Sequence, residues 1–163
     1  MPELVPLNTA SPTAIEALLD AAFGTDRHLK TAYRLRLGSQ PIAALSFAIM
    51  DGLRPIACIQ CWAVGIASAR LVLVGPVAVH PDRQNEGHGS RLMQTMLEAA
   101  GHLSDPPMVM VGDSEYYGRF GFSASVTAGW EMPGPWDPQR LLVRNPSGYP
   151  LPAIGMLERA DAL

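Results

Sequence analysis

One unit of this sequence constrains its fold more than any other. The apolar run Leu71 to Val79 passes through His80-Pro81-Asp82 into the loop Gln84-Asn85-Glu86-Gly87-His88-Gly89. That loop opens directly onto a segment, Gly87 to Ala100, with Leu92, Met93, Met96 and Leu97 on one face and Gly101 just past its end. A β-strand, a tight loop and an amphipathic helix are the expected reading. A helix N-terminus presents unpaired N–H groups and the positive end of its dipole, so it suits a phosphate. Gly87 and Gly89 would let a ligand approach the backbone where a Cβ would obstruct it, or they serve only the turn. The glycine spacing is not G-x-G-x-x-G, and no Gly-Lys-Ser or Gly-Lys-Thr follows, which excludes a dinucleotide fingerprint and a Walker A site.

The remainder arranges itself around that unit. Ser11 and Pro12 read as an N-cap and first helical residue, Thr13 and Glu16 as a capping box, and Ala14, Leu18, Ala21 and Ala22 as the apolar stripe of a helix ending near Gly24. Leu29, Ala32, Tyr33 and Arg36 stand at helical spacing within 28–37. Runs 42–50, 55–64 and 71–79 predict consecutive antiparallel strands, broken at Asp51-Gly52 and at a Gly, Ser and Arg stretch. Residues 108–111 predict a buried strand, 114–119 a short helix or turn, and 120–126 another strand. Beyond Trp130 the Pro- and Gly-rich segment 130–163 is placed only loosely. With 163 residues, 48% of them hydrophobic, and no linker before residue 130, one α+β domain with a central mixed sheet over residues 1–163 is expected.

Composition removes several function classes. A net charge of −3 with no basic run gives no footprint for nucleic acid. The mild acidity would suit a cationic small molecule or a Lys-bearing peptide, and is also ordinary for a soluble enzyme. Residues 1–12 lack a basic region followed by an apolar one, so a cytoplasmic location is expected. The most apolar stretch, 55–79, is interrupted by Gln60, Gly65, Ser68, Arg70 and Pro76, which disfavours a membrane span. Cys58 and Cys61 lie three apart in a strand-like run and should point to opposite faces as buried thiols, not as a redox pair or half of a zinc site. The histidines at 28, 80, 88 and 102 share no ligand spacing, and no metal is expected.

Gln84-x-x-Gly87-x-Gly89, set after an apolar strand and before an amphipathic helix, resembles the pyrophosphate-binding motif of the GNAT N-acetyltransferase superfamily. Tyr117-Gly118-Arg119-Phe120-Gly121-Phe122 resembles that family's Y-x-x-x-G-F signature at the family's position, one strand downstream of the long helix. The resemblance covers about residues 71–122. It implies a mostly antiparallel sheet whose two parallel strands splay apart at the acetyl-CoA site. It further implies pantetheine pairing along Val77, Ala78 and Val79, with Val77 and Val79 supplying the backbone bonds and one N–H facing the thioester carbonyl. Pyrophosphate would lie over Gln84, Asn85, Glu86, Gly87, His88, Gly89 and Ser90. Tyr117 would act as general acid toward the CoA thiolate, Tyr116 being the alternative one position away. The implied activity is acetyl transfer from acetyl-CoA to the amine of a small molecule or peptide. A non-catalytic acyl-CoA-sensing or interaction module on the same fold is the alternative, and a homodimer is compatible with either.

Three residues depart from the family pattern. Glu86 stands where a basic or small residue is frequent, and its carboxylate would repel a pyrophosphate unless it points to solvent. Asn85 replaces a frequent glycine, and Asp113 a frequent pantetheine-contacting asparagine. His80, Asp113 and Glu115 are near the site in sequence, but the sequence singles out no general base. Pro76, inside a central-looking strand, predicts a bulge or a local separation of strands.

Overall fold

The computed structural model describes residues 1–161. Its sheet runs in the order β1 (Glu3–Pro6), β2 (Phe47–Asp51), β3 (Arg54–Ile66), β4 (Ala69–Val79), β5 (Met108–Val111) and β7 (Leu141–Arg144). All these neighbours are antiparallel except β4 and β5. At thirteen residues, β3 is much longer than the five of β2, and its free half-edge, Val64–Ile66, pairs with β8 (Ile154–Arg159). A short strand β6 (Gly129–Glu131) runs parallel to β8. The segment beyond residue 130, unassigned by pattern, thus supplies the β7 edge of the sheet and, through β8, a partner for the free half of β3. These strands are only three to six residues long and carry little periodicity.

Helices cover both faces. Helix α1 (Pro12–Phe23) is capped by the Ser11 hydroxyl, which accepts the Ala14 N–H at 3.4 Å, and it stops at Gly24 with φ +85°. The expected capping box does not form: Ser11 is the N-cap, Thr13 lies within the helix, and Glu16 pairs with the buried Arg27. The long helix α3 (His88–Gly101) buries Leu92, Met93, Met96 and Ala100 against Ile59, Cys61, Val72, Val74 and Met108. Ala48, Cys58 and Ala78 pack under α1 on the opposite face. Cys58 and Cys61 therefore do separate across the sheet, both buried and free, with burial pushing the Cys58 thiol up to about 12.

Three other expectations are corrected. Residues 42–46 are a 3₁₀ turn and a connection, with β2 starting at Phe47. The second helix shrinks to α2 (Thr31–Arg34), preceded by a 3₁₀ turn over Thr25–Leu29. Residues 120–126 make only one bridge, Ser123 to Val143, because Gly121 turns the chain with φ +90°.

Candidate functional site

Strands β4 and β5 pair only at Val72 with Met108 and Leu73 with Val109. Past these residues β4 keeps β3 as its partner and β5 keeps β7, so the two parallel strands part. A bulge marks the parting. Ile59 pairs with Val77 and Cys61 with Val74, so Gln60 faces Gly75 and Pro76 together. The Gly75 carbonyl accepts the Trp62 indole N–H at 2.7 Å in a buried setting. Pro76 thus sits at a bulge beside a strand separation, as expected.

The N–H of His80 bonds the Ile56 carbonyl at 2.8 Å, which fixes the direction of the strand's polar groups. Those groups alternate along an extended chain. Ala78 therefore turns its N–H toward β3, while Val77 and Val79 turn theirs toward the opening. The Ala78 side chain is fully buried under α1, so this residue presents neither its side chain nor its N–H to the opening.

The loop after β4 is held from behind by charge. Arg83 lies 2.8 Å from Asp51 and 3.1 Å from Glu86, and His88 Nε2 lies 3.0 Å from Glu86. The Arg83 guanidinium, then the His88 ring, hold the Glu86 carboxyl below the usual carboxylate range. Glu86 is thus a clasp whose charge is offset inside the protein. Asn85 adopts φ +65°, a left-handed conformation that asparagine tolerates better than most side chains, which accounts for it in place of glycine. Gly87 precedes α3 with φ +84°. The first helical bond there runs from the Arg91 N–H to the Gly87 carbonyl, leaving the N–H groups of His88, Gly89 and Ser90 without intrahelical partners. A Cβ on Gly89 would come no closer than 3.9 Å to any side chain, so packing does not explain that glycine. Gln84, Asn85, Glu86 and Gly87 are exposed, and the His88 side chain is buried.

Beyond β5 the chain turns at Gly112 and Asp113 into α4 (Ser114–Tyr117), capped by the Asp113 carboxylate, which accepts the Glu115 N–H at 3.0 Å. Gly112 makes room for the neighbouring ring, since a Cβ there would lie 2.7 Å from Tyr117. Phe122 is buried in the core, and Gly121 provides the turn between it and α4. The Tyr117 spacing to Gly121-Phe122 is therefore a mechanical link between site and core. Burial, followed by the neighbouring Tyr116, raises the Tyr117 pKa above the ordinary phenol value.

A cavity of about 860 Å³ occupies the open end between β4 and β5 and reaches the α1–α2 region. Val77, Gly112, Asp113, Tyr116 and Tyr117 all border it. His80 and Glu115 do not, which leaves Asp113 as the one of those three to border the cavity. Arg36, Trp136 and Arg140 also line it, and sequence reading assigned none of them a role. The signal for Arg36 was a cation in line with the apolar positions 29, 32 and 33. A second cavity, about 930 Å³, lies on the α3 side beside Ser90, Gln94 and Arg119. Among the described residues there is no cluster of three or more metal-ligating side chains.

The description "Acetyltransferase (GNAT) domain" matches residues 44–124, from the approach to β2 through the Gly121-Phe122 turn. No curated protein matches. Solved structures share the fold. YhbS of Escherichia coli, a GNAT family N-acetyltransferase solved with CoA, is 20% identical over 98% of this chain and 89% of its own, with a TM-score of 0.73. A GNAT family acetyltransferase of Brucella melitensis, solved with acetyl-CoA, is 22% identical over 98% and 96%, with a TM-score of 0.66. Naa50 of Arabidopsis thaliana, in complex with a bisubstrate analogue, is 12% identical over 88% and 98%, with a TM-score of 0.58. The mixed sheet and flanking helices share the fold of these proteins, and residues 44–124 form a domain of the GNAT acetyltransferase family.

Proposed function

We propose that this protein is an N-acetyltransferase that binds acetyl-CoA along β4 and transfers its acetyl group to an amine in the cavity between β4 and β5. The observation that carries this reading is the strand separation, which ends on a helix N-terminus with free N–H groups at His88, Gly89 and Ser90. The diphosphate would lie over Gln84 to Ser90 and be held mainly by backbone donors. A Cβ on Gly89 would meet no side chain closer than the Val79 methyl at 3.9 Å, which fits a ligand close to the backbone. Val77 and Val79 would hold the pantetheine arm through the backbone groups that face the opening.

Acetyl-CoA supplies an activated thioester whose carbonyl an amine can attack, with CoA thiolate leaving. A backbone N–H of Val77 or Val79, aimed at the carbonyl oxygen, would stabilise the charge that develops there. Tyr117 borders the cavity and is held protonated by burial, so its hydroxyl can give a proton to the departing sulfur. The amine must lose its proton before attack, which costs about 4 to 5 kcal/mol at pH 7 for an alkylammonium. Asp113, or water in contact with it, is the relay this geometry offers.

The test is CoA release with acetyl-CoA and a panel of amines. Thiol appearing only when an amine is present supports the reading. Tight binding of acetyl-CoA without turnover on any amine would favour a non-catalytic acyl-CoA-binding module.

A further inference from the structure

The protein as a whole is acidic, with a formal charge of −3. The cavity is not. Its lining holds Arg27, Lys30, Arg36 and Arg140 against one carboxylate, Asp113. Arg27 is neutralised by Glu16 and Asp20 on its far side. Arg36 has no such partner. Among the described residues its side chain forms no ion pair or hydrogen bond, and its Nε is buried without an acceptor. Its guanidinium rests on aromatic faces, 5.0 Å from the Tyr33 ring centre and 5.9 Å from that of Trp62. The only other buried side-chain donor left unpaired among the described residues is the Trp136 indole N–H, and Trp136 lines the same cavity.

These positions are built, not incidental. Trp62 bonds the bulge carbonyl of Gly75 and offers its ring to Arg36, whose Nη2 would lie 3.6 Å from a Cβ on Gly75. Thr31 bonds the Pro135 carbonyl and Arg34 the Pro133 carbonyl, which ties the strap carrying Trp136 to α2. An unpaired buried donor is costly, more so if charged, so two in one cavity point to a ligand acceptor. A guanidinium matches a carboxylate with two parallel hydrogen bonds.

We propose that the acceptor amine carries a carboxylate, recognised by Arg36 with Trp136 beside it, so that the substrate is an amino-carboxylate and not a polycation. This inference rests on the transferase reading for its chemistry. The cavity charge also runs against the cationic small molecule or Lys-bearing peptide that the protein's mild overall acidity would suit. Burial first, and the nearby charge of Arg27 second, lower the Arg36 pKa to about 10, which leaves it cationic at neutral pH.

The test compares α- and ω-amino acids with their primary amides. Binding is measured by calorimetry with and without CoA, and turnover by CoA release. Carboxylates should bind and react better than their amides by on the order of 10²-fold, the scale of a desolvated charge pair. Arg36→Gln should erase that preference with acetyl-CoA affinity unchanged, and Arg36→Lys should restore part of it. Equal use of amides and carboxylates by the unaltered protein, or failure of every carboxylate to bind, would overturn the proposal without recourse to a variant. Loss of acetyl-CoA affinity in Arg36→Gln would instead assign the arginine to the cosubstrate and overturn it too. If the unaltered protein fails to bind acetyl-CoA, the transferase reading falls, and the carboxylate comparison made without CoA still decides this one.

Discussion

At the scale of single residues, Tyr117 and Glu86 carry the sharpest expectations. Tyr117→Phe should lower turnover on the order of 10²-fold with little change in acetyl-CoA affinity. Because burial raises the folded-state pKa of Tyr117, its proton stays available above the ordinary phenol range. The alkaline fall in kcat should therefore lie above about pH 10 and vanish in the phenylalanine variant. If Tyr116→Phe is the damaging change instead, the acid is one position earlier. Glu86 would repel a bound diphosphate unless its carboxylate points away, and its ties to Arg83 and His88 make it a support for the loop. Glu86→Gln should thus weaken acetyl-CoA binding about threefold by calorimetry, the scale of exposed ion pairs, and not tighten it. Its folded pKa is depressed, so the clasp contributes above the unfolded carboxylate value of about 4.3 and is lost as pH falls through the folded value. A melting series from about pH 7 to pH 3 should show that acid-side loss in the unaltered protein and a smaller one in the glutamine variant.

At the scale of elements, the β5–α4 junction sets the position of the reacting edge. Gly112→Ala would place a methyl group 2.7 Å from the Tyr117 ring. Overpacking of this kind costs about 1–3 kcal/mol, and α4 would have to shift to relieve it. Turnover should fall as far as in Tyr117→Phe while acetyl-CoA affinity holds. An unshifted melting temperature with full activity would show that the junction yields freely. The elements that sequence made legible are those whose pattern is long or capped. Residues 71–79, α1 and α3 follow respectively from a long apolar run, Ser11-Pro12, and the stripe Leu92, Met93, Met96. Strands β6, β7 and β8 were not legible because their pairing partners lie far along the chain and their lengths are too short for a period to show.

At the scale of the whole molecule, the candidate site combines readable and unreadable parts. The loop 84–89 and Tyr117 are contiguous motifs with turn and helix chemistry of their own. The cavity wall is different, since Arg36, Trp136 and Arg140 meet only because α2, the strap at 133–136 and the start of β7 converge. No spacing in the sequence encodes that convergence, and a net charge of −3 does not reveal a cationic lining. The global consequence of ligand binding is linkage. Acetyl-CoA at about 100 times its dissociation constant should stabilise the fold by about 2.7 kcal/mol, visible as a concentration-dependent rise in Tm.

The most direct measurement is a calorimetric titration of acetyl-CoA into the unaltered protein and into Gly89→Ala. A methyl group there meets no protein atom closer than 3.9 Å, and alanine suits a helix better than glycine, so the variant should melt at the same temperature or higher. The expected result is one molecule bound per chain in the unaltered protein, with affinity at least about tenfold lower in the equally stable variant. No binding to the unaltered protein, or equal affinity in the folded variant, would contradict a diphosphate site at the start of α3.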